Sequence, residues 1–413
     1  LKITFIQPYY QNVWEALGIG YIISHIKFYQ PYLEVNFFQG KFDKPDEIFE
    51  GSKDSDIVAF SCTSPAYVHG IGTARRLKEH NRDIHIVFGG WHPTALPHDV
   101  IREPCVDQVI VGEGEHAMRL VVVGNREPIV YGSNMKNDFL AWPDRETIKT
   151  ERTIDLCESM NNTRTASFQM NRGCKVHCAF CAEHLMSGTG KPRSRDIKAV
   201  LCEINNVSNA YNLDYFKFVD ATFDTSPQDV INFCMAKVAL DMNIEWECNI
   251  HPGFVQDRKV FEWLRIANCN QINIGCESGS QKILKDVGKG TNLEQIKNVF
   301  KWAKEYGIKR RGYFLIGMPD ENFEDLVKTD ELIQEVEPDV VGFTILCPYP
   351  GSDFYVPEIH TDIDWSVTDE YGNDFWHNNE YDNAGLKRIQ AFFLSKYKHL
   401  LCERQEEKCQ KKD

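Results

Sequence analysis

The chain has 413 residues, 42% hydrophobic and 12% aromatic, with a formal net charge of −14. That length and composition suit two or three domains with a sizeable core, and the negative charge argues against a nucleic-acid surface, which needs a basic patch. No apolar run approaches the roughly 20 residues of a membrane span, and the opening LKITFIQPYYQ reads as a strand and a loop rather than a secretory leader, so a cytoplasmic location is expected.

Residues 1–118 alternate apolar strands with helical stretches. LKITFIQ, LEVNFF, DIVAFSC, IHIVFGG and DQVIVGEGE read as strands, and WEALGIGYIISHIKFYQ and HGIGTARRLKEHN as helices. Strands apolar on both faces and alternating with helices predict a doubly wound parallel sheet, Rossmann-like in class. Its ligands belong at the strand carboxyl ends, where the loops are QPYYQNVW, SCTSPAY, GGWHP and GEGEH. Residues 119–165 lack a clear period and carry turn formers, which predicts a linker. Residues 166–350 resume the βα rhythm through TASFQMN, YFKFVDATF, IEWECNIHP, QINIGCES, RGYFLIGMP and VVGFTILCPYP. Six strands with intervening helices predict a partial or full β/α barrel with its site at the same ends. Residues 351–413 form a small C-terminal extension, closing on the charged CERQEEKCQKKD, which is expected to be solvated and frayed.

The chain holds 14 cysteines. Most are scattered, several in apolar strands, as Cys62 and Cys276 are; buried reduced thiols in a reducing, anaerobic cell account for them. Cys174, Cys178 and Cys181 differ. They stand together in QMNRGCKVHCAFCAEH, directly after a strand, spaced C-x3-C-x2-C. Cysteine thiolates hold iron–sulfur clusters, and three of them leave one iron of a four-iron cluster open, much as a catalytic zinc keeps a free position. A zinc site completed by His177 or His184, or three unrelated thiols, are the alternatives that the spacing leaves open.

With Phe180 before the last cysteine, the motif resembles the signature of the radical S-adenosylmethionine (SAM) enzymes. The resemblance implies a partial (β/α)6 barrel and a [4Fe-4S] cluster on Cys174, Cys178 and Cys181. Its open iron would chelate SAM, whose reductive cleavage gives a 5′-deoxyadenosyl radical. It implies that Phe180 lies against the adenine and that Asp220 and Thr222 of FVDATF hold the SAM amino group. GCESGS is similar to the family's G-x-E-S-G-S, which puts Glu277 and Ser278 at the SAM ribose and carboxylate; a helix-capping turn at Ser278 or Ser280 is the bland alternative. Gly317 of FLIGMPDE would lie near the adenine, and Arg193 of KPRSRD matches a position after the cluster loop, where a carboxylate-paired arginine is the alternative.

DIVAFSCTSPA, IVFGGWHPTALP and VDQVIVGEGEH resemble, in order and spacing, the cobalamin-binding domain that precedes the barrel in one large class of these enzymes. That implies cobalamin across the strand ends. Ser61, Thr63 and Ser64 would meet its nucleotide tail, Gly89 and Gly90 would let the tail pass, and Gly112 and Glu113 would flank the ring. Trp91 and His92 would be ring contacts, and Tyr67, in the loop after SCTSPA, would cover the lower face of cobalt. The loop after the first strand holds no histidine, so cobalt is expected to lack a protein His ligand.

These resemblances imply a cobalamin-dependent radical SAM methyltransferase that acts on an unactivated carbon. A glutamine of methyl-coenzyme M reductase is one candidate suggested by class membership; other peptides, tetrapyrroles and lipids are also open. The alternatives are a non-methylating oxidation or cyclisation, as in the anaerobic cyclase of chlorophyll synthesis, and a corrinoid or iron–sulfur sensor or electron carrier. Tyr313, Thr344 and Tyr349 at barrel strand ends would line the substrate pocket. The partners implied are a small-molecule, peptide or protein substrate and an external electron donor, with no nucleic acid and no membrane span.

Overall fold

The computed structural model describes residues 1–12, 14–134, 141–187, 191–360, 363–368 and 371–401. The first domain is a six-stranded parallel sheet of β1 (Lys2–Gln7), β2 (Glu34–Gln39), β3 (Ile57–Ser61), β4 (His85–Gly89), β5 (Gln108–Val111) and β6 (Ile129–Tyr131), in the order β2-β1-β3-β4-β5-β6. The continuous apolar runs of its strands serve two cores. Ile3, Phe5, Ile57 and Val87 meet Ile19, Ile23 and Ile26 of the helix Leu17–Tyr29 on one face. Ile6, Val58, Phe60 and Phe88 meet Ile71, Ala74 and Leu77 of the helix Ser64–His80 on the other. The chain order reverses between β1 and β3, and the crevice beyond the carboxyl ends there is where such a sheet binds ligands.

The second sheet is also parallel and six-stranded: β7 (Thr165–Phe168), β10 (Tyr215–Phe218), β11 (Glu245–Ile250), β12 (Cys269–Glu277), β13 (Lys309–Ile316) and β14 (Val340–Ile345), in the order β14-β13-β12-β11-β10-β7. The short β8 (Asn171–Arg172) and β9 (Arg193–Ser194) pair antiparallel and bracket the cysteine loop. Alternation explains the sheet's curl. Phe216, Phe218, Trp246, Cys248, Ile272, Ile274, Phe314 and Phe343 point outward into one large core. Polar residues such as Lys217, Glu247, Asn249 and Asn273 line the hollow inside. The strands β7 and β14 are not paired to each other, so this is an open, partial barrel.

Two expectations are corrected. Residues 119–165 are not merely a linker: β6 completes the first sheet, and Ile154 of the helix Thr150–Asn161 enters the barrel core. The segment SPAY is the first turn of the helix Ser64–His80, not a loop; Pro65 is tolerated there because the first turn needs no donor from it. The C-terminal extension packs on the barrel, since Leu386 and Phe393 of the helix Asn383–Lys396 belong to its core. The segment CERQEEKCQKKD (402–413) lies outside the described residues. No helix among the described residues is long and apolar enough to cross a membrane.

A buried ion network joins the domains. Glu15, in the loop after β1, accepts the Ser167 N–H of β7 at 2.9 Å and pairs with Arg145. Arg145 also reaches Glu203 at 3.2 Å, and Arg195 reaches Glu203 at 2.7 Å. The carboxyl ends of the two sheets are thereby held face to face.

Candidate active site between two sheets

The barrel encloses a cavity of 1460 Å³ lined at the strand carboxyl ends by Cys174, Cys178, Phe180, Cys181, Asp220 and Glu277. The turn into the cysteine loop is made at Gly173, at φ +93°. Inside the loop the Cys181 N–H donates to Cys178 O, and the Ala179 N–H donates to Val287 O, both at 2.9 Å. Burial pushes the Cys174 thiol up, Cys178 up to about 12 and Cys181 up to about 11, so a metal group loading here must displace thiol protons.

The donor set separates the metal alternatives. Among the described residues, the metal-capable side chains whose ligand atoms all lie within 4.8 Å of one another are His177, His184 and Asp353. The three cysteine sulfurs are not such a set, whereas ligands around one tetrahedral zinc sit about 4 Å apart. Nor does a histidine complete them. His177 hydrogen-bonds Asp353 at 2.9 Å on the exposed side of the loop and stacks on His184 at 4.0 Å. Three spread thiols without a fourth protein ligand fit a cluster better than a single ion.

Several expected SAM residues line this cavity, already engaged. The buried Asp220 carboxylate accepts the N–H groups of Met170 at 2.9 Å and Asn171 at 2.8 Å, fixing the backbone that leads into the loop. Burial raises its pKa against the lowering effect of those amides. Thr222 donates to Asp224, which burial pushes up to about 7. Glu277, at φ +61°, pairs with Lys289 at 2.7 Å. Ser278 is turned out of the cavity: its hydroxyl accepts the Ser280 N–H at 3.1 Å, while neither serine caps the helix Gln281–Asp286 with its side chain. Gly317 lies under Leu386 and Trp376 instead of facing the cavity, and its carbonyl accepts Trp376 Nε1 at 2.7 Å. Tyr313 lines the cavity. Thr344 does not, and Tyr349 is half-buried and stacks on Trp365.

A second cavity, of 350 Å³, lies between the sheets. Ser61, Gly89, Gly90, Trp91, Gly112 and Glu113 line its first-domain side, facing Gln169, Asn171, Val219 and Ala221 of the barrel. Gly90 is at φ +94°, and a Cβ there would lie 2.8 Å from Cys62 N and 2.9 Å from Cys62 O, so the close passage admits only glycine. Thr63, Ser64, Tyr67 and His92 do not line the cavity. His92 hydrogen-bonds Ser64 at 3.0 Å and stacks on Tyr67 at 4.1 Å, buried behind the strand ends. Burial lowers His92 to about 4, so it is neutral. No histidine is among the described lining residues.

Arg193 faces the first domain rather than the barrel cavity, and pairs with Glu113. Arg172, which the sequence reading missed, reaches Glu113 at 3.2 Å and Glu115 at 2.7 Å. The adjacency of NRGC to the cluster and the acids of GEGEH were the available signal. Trp14, Glu183, Val219 and Ala221 line both cavities, so the two spaces meet at these residues.

Fold and site define a two-domain α/β enzyme in which a glycine-lined sheet edge faces a thiolate-lined open barrel. The family models agree: the B12 binding domain matches residues 10–122 and the radical SAM superfamily matches residues 168–333. The chain belongs to the cobalamin-dependent radical SAM family and is a radical SAM enzyme. It is similar to an uncharacterized methyltransferase of Pyrococcus horikoshii, 27% identical over 72% of this chain and 68% of that protein. It is also similar to the anaerobic magnesium-protoporphyrin IX monomethyl ester cyclase of Rubrivivax gelatinosus, 26% identical over 86% of this chain and 69% of the cyclase. Its fold is shared with the radical SAM methyltransferase TsrM of Kitasatospora setae, solved with cobalamin and a [4Fe-4S] cluster. That match has a TM-score of 0.68 at 15% identity, over 85% of this chain and 73% of TsrM.

Proposed function

We propose that this enzyme transfers a methyl group to an unactivated carbon of a substrate held where its two cavities meet. The observation that carries the reading is the junction itself: Trp14, Glu183, Val219 and Ala221 border both spaces. Cys174, Cys178 and Cys181 would hold the cluster, with SAM among Phe180, Asp220, Thr222 and Glu277. Cobalamin would lie against Ser61, Gly89, Gly90, Gly112 and Glu113, in a first domain that runs past residue 118 to include β6. When bound, these cofactors supply hydrogen-atom abstraction on the barrel side and a methyl donor on the sheet side.

The chain's own residues position and enclose. Asp220 stiffens the strand end before the cluster loop, Lys289 keeps Glu277 aimed inward, and the Arg172 and Arg193 pairs with Glu113 hold the domains together. Near-contact placement and exclusion of water are what such a closed junction contributes.

Likeness to the cyclase over 86% of the chain supports a second reading, a radical oxidation or ring closure without methylation. The similarities found give the glutamine of methyl-coenzyme M reductase no support. The test is anaerobic incubation with reductant, methyl-labelled SAM and candidate substrates. Deoxyadenosine with label in the product supports methylation, deoxyadenosine with unlabelled product supports cyclisation, and no deoxyadenosine with any candidate contradicts both.

A further inference from the structure

The inner wall of the barrel is a ladder of satisfied polar groups. Gln271 Nε2 donates to Glu247 at 3.0 Å and to Asn273 at 2.9 Å. Asn273 Nδ2 donates to Asn249 at 3.2 Å, and Asn249 Nδ2 donates to the Asp220 carbonyl at 2.8 Å. Three nearby cations are engaged too: Lys289 by Glu277, Lys175 by the Thr225 carbonyl, Arg172 by Glu113 and Glu115; Lys309 is exposed at the cavity's other end.

Lys217 stands outside this ladder. It lies on β10 beside Ser167 of β7 and Glu247 of β11, yet Glu247 is turned to Gln271 and to the Tyr215 hydroxyl. Among the described residues the Lys217 ammonium forms no ion pair and no hydrogen bond; it stands 6.0 Å from the centre of the Trp14 ring. Trp14 comes from the other domain, borders both cavities and is 45% exposed. Val219, just past the end of β10, borders both cavities as well. Two residues of extended chain rise at most about 7 Å, so Lys217 stands within one such step of the junction, inside the barrel.

We propose that Lys217 and Trp14 form the substrate anchor, and that the substrate is a carboxylate-bearing molecule with a flat apolar body. The proposal rests on the reading of the junction as the reaction site. A half-buried ammonium left without an anion, next to an ordered run of amides, is a site for an anion that the chain does not itself supply. The adjoining indole offers an apolar face of large area to a planar group. The carboxylate sits on Lys217, the flat body lies on Trp14, and the carbon to be modified reaches the gap beside Val219 and Ala221.

Equilibrium dialysis under anaerobic conditions tests this, on protein carrying its cluster, cobalamin and SAM. The probes are naphthylacetate, its neutral amide and naphthyl phosphate. The acid is expected to bind about ten-fold tighter than the amide. Lys217→Gln removes that preference, Lys217→Arg keeps it, and Trp14→Ala weakens acid and amide alike. Equal binding of acid and amide, binding of neither, or a preference that survives in Lys217→Gln overturns the anchor; tighter binding of the phosphate overturns the carboxylate. SAM, iron and cobalt are measured on the same samples. Their absence from the unaltered protein faults the cofactor reading, while their presence with no charge preference faults the anchor alone.

Discussion

The two cavities are built from different materials. The one at the first sheet is made by backbone: Gly89, Gly90 and Gly112 bring the chain close, with apolar side chains such as Ala59, Val87 and Ile110 beneath. The one in the barrel is made by side chains, with cysteines at the rim and a hydrogen-bonded polar ladder below. A backbone-built site suits a large ligand recognised by shape. A side-chain-built site suits a small reactive one held at fixed points. The comparison implies that the two sites load separately and that damage to one spares the other.

The largest effects test that independence. Cys181→Ala should abolish cluster iron and all deoxyadenosine formation while cobalamin content stays near that of the unaltered protein; metal analysis and the visible spectrum read both. Gly90→Val should do the reverse. A side chain at φ +94° would collide with the Cys62 backbone and displace the strand-end loops proposed to hold cobalamin, so cobalt should be lost with iron retained. Loss of both cofactors in either variant would break the comparison.

The bridge between the sites comes next. Arg172→Ala leaves Glu115 buried without its partner and Glu113 with Arg193 alone, and breaking a buried pair costs about 3–5 kcal/mol. Denaturant unfolding should show a loss of that order, and Arg172→Lys should restore part of it.

The smallest effect is one of pH and sits behind the glycine edge. His92 is held neutral, with its pKa lowered by burial to about 4 against an unfolded value near 6.5. The unfolded chain binds the proton first on acidification. The contribution of His92 is therefore fully present above about pH 6.5 and falls away as pH drops toward 4, by about 3 kcal/mol. His251 adds in the same direction, whereas Asp224 and Glu321, raised to about 7, act oppositely. The informative quantity is thus the difference in unfolding free energy between the unaltered protein and His92→Asn, followed from pH 7 to pH 4. No change in that difference would contradict the buried His92–Ser64–Tyr67 cluster.

Strand alternation and cysteine spacing are local signals, and both are legible in the sequence. All six barrel strands, the five longer strands of the first sheet and the thiol-lined loop follow from them. What was hidden depends on distant partners or on backbone rotation. Strand β6 is three residues among turn formers and exists because β5 offers it an edge. The pairs Arg172 with Glu113 and Glu115, and Lys289 with Glu277, have no local pattern because their members meet only in the folded chain. Ser278 was misplaced because β12 bulges: its register against β13 shifts between Gly275 and Glu277, and Glu277 adopts φ +61°. That rotation sends Glu277 into the cavity and Ser278 out of it.

A chain that brings a three-thiolate cluster and a cobalamin to a common junction must carry both metals at once. Anaerobically reconstituted protein should hold, after gel filtration, about four irons, as a [4Fe-4S] cluster requires, together with one cobalt per chain, the iron lost in Cys181→Ala and the cobalt lost in Gly90→Val. Full iron loading with no cobalt retained, or cobalt retained unchanged in Gly90→Val, would contradict it.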